Sequence, residues 1–130
     1  MKDIIDIISS NSDIIHGNSV SEIEIQKAEE NLKVKFFEDY FCYVKNFGCM
    51  AIDGREFTGI SKLPNYDVVT ITTTQKQYND NIPNDWYTVE QLNIDGIVIW
   101  QSSTGEIYQT GSNTEPLKVC DSFTEYISQL

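Results

Sequence analysis

Apolar residues in this chain recur with a helical period as far as Gly48 and lose that period afterwards. The switch constrains the fold because helices bury a stripe and strands bury one or both faces of a sheet. Before it, isoleucines at 4, 5, 7 and 8 make one face of a short helix over residues 2–9. Residues 10–20 read as a loop, with 13–16 partly extended. Ser21 and Glu24 form a capping box, which opens a helix running to about Lys33 with Ile25, Ala28 and Leu32 in one stripe. A further helix spans residues 38–46, where Phe37, Tyr40, Phe41, Val44 and Phe47 recur at helical spacing. Acidic Glu38 and Asp39 suit its first turn, and Gly48 suits its C-terminal end.

After Gly48, residues 49–53 and 55–60 read as strands around an Asp53-Gly54 turn. Residues 82–85 make a turn and 86–91 a strand. Residues 97–100 are apolar on both faces, which places them inside a sheet. The turn at 102–105 leads to a strand at 106–110, a hairpin signal. A short strand follows at 117–120. Ser122 and Glu125 then form a second capping box, aiming Phe123, Ile127 and Leu130 of a last helix at the sheet. Residues 65–79 carry two signals. Val68, Val69, Thr70, Ile71 and three further threonines favour a strand, whereas Tyr66, Val69, Thr73 and Gln77 line one helical face. Local propensity alone favours the strand.

Helices, a run of strands and a closing helix describe an α+β fold: N-terminal helices and a C-terminal helix packed on a mostly antiparallel sheet. At 130 residues, 40% hydrophobic and 22% charged, a single domain over residues 1–130 is expected. No apolar run approaches the roughly 20 residues that span a bilayer. Residues 1–8 are too short and too acidic for a secretion signal. A soluble cytoplasmic protein is the expectation.

Few residues offer chemistry. Cys42, Cys49 and Cys120 are odd in number and lack close pairing, so no disulfide framework is expected. With His16 they lack the spacing of a zinc site, and no metal or cofactor is expected. Cys42 and Cys120 read as small hydrophobes. There is no P-loop, no G-x-S-x-G, no H-E-x-x-H and no spacing that activates a thiol, so catalytic residues are not assigned. Glu29 sits at the edge of the 25–32 stripe, where a carboxylate must find donors. It reads as a structural carboxylate fastening nearby backbone N–H groups rather than as a general acid.

Charge is more informative. Twenty acidic residues against nine basic give −11, and after Lys76 eight acidic residues face the single Lys118. Such a field repels phosphates and anionic membranes, which argues against nucleic-acid and membrane partners. It attracts basic proteins and speeds their encounter, although charge alone favours the simpler reading that an acidic surface aids solubility.

Four motifs resemble one family. They are Ala28-Glu29 with Leu32, Glu38-Asp39-Tyr40 through Phe47-Gly48, Gly105-Glu106-Ile107-Tyr108 and Ser122-Phe123-Thr124-Glu125-Tyr126. Together they resemble the SUKH superfamily of Smi/Knr-like domains over residues 2–129, with Phe36-Phe37 standing where that family carries Leu-Pro. The resemblance implies a helix at 67–79, against propensity. It also implies a binding function. Many bacterial members are immunity proteins that silence toxins, often nucleases, and fungal relatives regulate cell-wall signalling through protein contacts. The expectation is stoichiometric neutralisation of a basic cognate toxin domain by a monomer or weak homodimer; a regulatory scaffold for an endogenous partner is the alternative. Aromatic anchors and carboxylates make the candidate contact surface: Asp85, Trp86, Tyr87, Glu90, Asp95, Glu106 and Tyr108. Core packing competes with that role for Trp86 and Tyr108, and for Trp100 its apolar strand decides for the core.

Overall fold

A computed structural model of the chain describes residues 3–92, 94, 96–111 and 115–130. The expected helix start at Lys2 and two positions of the expected turn at 93–96, Asn93 and Asp95, lie outside the described residues. Helix α1 (Ile4–Ser9) starts at Asp3, whose carboxylate accepts the Asp6 N–H at 2.9 Å. Strand β1 (Ile14–His16) follows. Helix α2 (Glu22–Leu32) is capped by the Ser21 hydroxyl and ends where Lys33 turns left-handed. Helix α3 (Glu38–Phe47) ends at Gly48, with φ 77°. Strands β2 (Met50–Ile52) and β3 (Arg55–Phe57) form a hairpin whose turn residues, Asp53 and Gly54, both have positive φ, as a tight two-residue turn requires. Then come α4 (Val68–Tyr78), β4 (Tyr87–Gln91), β5 (Val98–Gln101), β6 (Ile107–Thr110), β7 (Leu117–Cys120) and α5 (Phe123–Ser128).

Among the described residues seven strands lie side by side in chain order, each antiparallel to the next, so the fold is α+β. Among the described residues β3 and β4 meet at the single pair Phe57–Glu90. Where β3 has ended, α4 takes its place: the Thr72 hydroxyl accepts the Thr88 N–H at 3.0 Å.

Propensity fails at α4. Its β-branched residues form a helix because Asp67 caps it, accepting both the N–H and the hydroxyl of Thr70 at 3.1 and 2.7 Å, and because tertiary packing outweighs a weak local preference. The buried face is Val68, Ile71 and Thr72. It is not the expected one, since Thr73 and Gln77 are exposed. In α5 the inward residues are Phe123, Tyr126 and Ile127. Leu130, expected among them, lies beyond the last turn and is 46% exposed.

The main core lies between one sheet face and the helices. Tyr40, Tyr43, Phe57, Tyr87 and Phe123 are fully enclosed there. A smaller cluster of Ile82, Trp86, Val98 and Trp100, with Tyr108 against it, occupies the opposite face. β5 serves both: strand alternation sends Ile99 to the main core and Val98 and Trp100 to the smaller cluster.

Candidate binding surfaces

The residues singled out as contacts divide between the two faces. Adjacent Trp86 and Tyr87 point in opposite directions. Simple alternation would put Glu90 on the same side as Trp86. A bulge between Thr88 and Glu90 shifts the register and turns Glu90 toward the helices.

On that inner face Tyr87 is fully buried. Its hydroxyl donates to Gln101 Oε1 at 2.6 Å and accepts the Phe37 N–H at 2.9 Å. Gln101 Nε2 passes the chain of bonds on to Gly105 O and to Asp39 Oδ1. Asp39 Oδ2 in turn accepts the N–H and hydroxyl of Thr124, at 2.8 and 3.0 Å, in the first turn of α5. Gly105 makes this junction possible: a Cβ there would lie 2.8 Å from the Phe37 ring, at φ 99°. Burial pushes the Tyr87 phenol well above its ordinary pKa.

Glu90 is also fully buried. Arg55, the sole arginine of the chain, grips it through Nε and Nη2, both at 2.8 Å. The Tyr126 hydroxyl donates to Glu90 Oε1 at 2.6 Å and accepts from Arg55 Nη2 at 2.9 Å. This ties α5 to β3 and β4. Tyr87 and Glu90 are therefore enclosed, fully partnered side chains, not the exposed contacts that their residue types suggested. Arg55 escaped notice because only the bulge makes it face Glu90.

On the outer face the other candidates come together. Trp86 stacks on Tyr108 with ring centroids 4.3 Å apart and planes 15° from parallel. Trp86 is itself only 7% exposed, whereas Tyr108 is half-buried. Glu106 accepts from the Thr104 hydroxyl, which holds its carboxyl below the usual range, and Lys118 Nζ stands 3.7 Å away. Asp85 Oδ2 accepts the N–H and hydroxyl of Ser103 at 3.1 and 2.8 Å. Burial opposes ionisation of Asp85, but these bonds outweigh it and leave the pKa low. Asp85 and Glu106 thus both hold the turn between β5 and β6, with Tyr108, stacked on Trp86, beside Glu106. Asp95 lies outside the described residues.

Glu29, on α2, is buried, and its Oε2 accepts the Phe36 N–H at 2.8 Å. Cys42, Cys49 and Cys120 are free, and burial raises all three thiols above their ordinary pKa, the opposite of an activated nucleophile. Among the described residues no group of three or more His, Cys, Asp or Glu is placed to hold a metal. No described helix is long and apolar enough to cross a membrane.

A groove of about 840 Å³ lies among α1, α3 and α5. It brings together Ile7, Phe37 and Cys42 with Asp3, Glu38, Asp39 and Glu125. The sequence carried no signal for it, because its walls come from residues more than a hundred positions apart.

No curated protein matches the chain. A family model described as SUKH_5, SMI1-KNR4 cell-wall, matches residues 1–130. The match spans the whole of this sequence, and this chain belongs to the SMI1-KNR4 family.

Proposed function

We propose that this protein is a cytoplasmic immunity protein, one domain over residues 1–130, that neutralises a cognate toxin domain by binding it stoichiometrically. Family membership is the observation that carries the reading. The outer patch of Asp85, Glu106 and Tyr108, with Asp95 as a further candidate, is the proposed contact surface. A partly exposed tyrosine set among carboxylates combines an anchor with charge selectivity. The chain's −11 charge would steer it to a basic toxin, such as a nuclease whose cleft must attract phosphates. Neutralisation then needs no chemistry, only occupation of the place where the toxin's substrate sits. Co-expression with the toxin domain encoded beside it should yield a co-purifying one-to-one complex and cells that survive the toxin. Survival without a complex, or a complex with an active toxin, would count against the reading. The family's cell-wall description favours a second reading, a scaffold for an endogenous partner. A phenotype on deleting the gene from cells that carry no toxin would select it.

A further inference from the structure

We propose that the groove among α1, α3 and α5 docks a basic amphipathic helical segment of a protein partner. The inference is independent of the toxin reading, because the occupant is specified by its chemistry. The floor is apolar: Ile7 and Phe37 are half-buried there beside Cys42. The rim is acidic. Asp3, Glu38, Asp39 and Glu125 line it, and among the described residues no Lys, Arg or His does. None of these four carboxylates forms an ion pair among the described residues. Lys45, the lysine of α3, is taken up by Glu22 at 2.9 Å.

The carboxylates are held in place by neutral donors. Asp3 caps α1, Asp39 binds Thr124 and Gln101, and Glu125 Oε2 accepts the Asp121 N–H at 3.1 Å. Glu38 has no such bond among the described residues and is exposed. Neutral hydrogen bonds fix the position of a charge without cancelling it. The consequence is visible at Cys42, whose thiol is pushed up first by burial and then by Asp3, with Lys45 opposing.

Charge complementarity therefore selects a cationic occupant, and the apolar floor selects one with a carbon face. A helix with anchors at i, i+3, i+4 and i+7 and lysines along its flanks has both. A second copy of this chain is disfavoured, since two molecules of charge −11 repel. The volume lies within the roughly 300–1,000 Å³ range of clefts that enclose ligand groups.

The test uses the full chain and a fluorescent peptide of about 15 residues, with Leu on one helical face and Lys on the other. A scrambled peptide of identical composition is the control for charge alone. The amphipathic peptide should bind at least about tenfold more tightly than the scrambled one, and amide shifts should cluster on α1, α3 and α5. Ile7→Ser and the exposed Glu38→Lys should each weaken it about tenfold, while the exposed Glu115→Gln, beside Trp100 on the far face, leaves it unchanged; tenfold corresponds to about 1.4 kcal/mol. Glu38→Lys keeps the test decisive if Ile7→Ser unfolds. Equal affinity for the scrambled peptide, indifference to Glu38→Lys, or no binding overturns the proposal. Each of these results leaves toxin neutralisation standing, because that is read by co-purification and survival.

Discussion

Glu90 and Glu106 have the same kinds of neighbour, a tyrosine hydroxyl and a cation, yet they stand in opposite situations. The Glu90 side chain is 1% exposed and its arginine sits at 2.8 Å; Glu106 is 35% exposed and its lysine sits at 3.7 Å. Glu90 is gripped by two guanidinium bonds and a phenol donating at 2.6 Å. Glu106 has a distant lysine and a Tyr108 contact of 3.4 Å. The inner carboxylate belongs to a network that loses much when one member is removed. The outer one contributes little to stability, since exposed ion pairs are worth about 0–1 kcal/mol. Residue type does not separate holding the fold from presenting a surface. Which side of the sheet a residue faces does.

The largest expected break in this contrast is alkaline. Burial raises the phenols of Tyr40, Tyr43, Tyr87 and Tyr126 above their ordinary 10.0. Their pKa is higher folded than unfolded, so this contribution to stability is intact below pH 10 and is lost as pH rises past it. Each phenol that stays protonated only in the folded state removes about 1.4 kcal/mol per pH unit. The phenolate absorbance of these four and the loss of near-ultraviolet circular dichroism should rise together in one steep transition above pH 10. Early ionisation of these four in a still-folded chain would show the inner face to be wet.

Glu90→Ala comes next. It leaves Arg55 and Tyr126 without their shared acceptor and should lower stability by about 3 kcal/mol in urea unfolding. A loss under about 1 kcal/mol would place Glu90 with the surface carboxylates. Tyr87→Phe removes the donor to Gln101 and the acceptor for the Phe37 N–H, for a loss of about 1–2 kcal/mol. Glu106→Gln should be smallest, within about 0.5 kcal/mol. A large loss there would erase the distinction between the faces.

Much of the chain's local structure was legible in its residues. Ser21 with Glu24 and Ser122 with Glu125 marked helix starts, and Asp53-Gly54 marked a hairpin, because caps and tight turns act over a few residues. Helix α4 was not legible from propensity, since Thr70 is satisfied by Asp67 and Thr72 by Thr88, the latter distant in sequence; the family resemblance supplied it. The placement of the candidate contact residues was half legible. Asp85, Trp86, Glu106 and Tyr108 do meet. Glu90 was misplaced because one extra residue in β4 reverses the alternation, and no local pattern reveals a bulge. The Arg55 grip and the α1–α3–α5 groove were invisible for the same reason: both join segments that only the finished fold brings together.

The most direct measurement is calorimetric titration of the proposed toxin partner with the native chain, with Glu106→Gln/Tyr108→Ala, and with Tyr87→Phe. If the outer face binds, the native chain gives a one-to-one complex, and the double variant weakens it about tenfold or more while remaining folded. Tyr87→Phe then keeps native affinity despite its lower stability. Unchanged affinity in the double variant, or affinity lost in a folded Tyr87→Phe, would contradict the assignment of binding to the outer face.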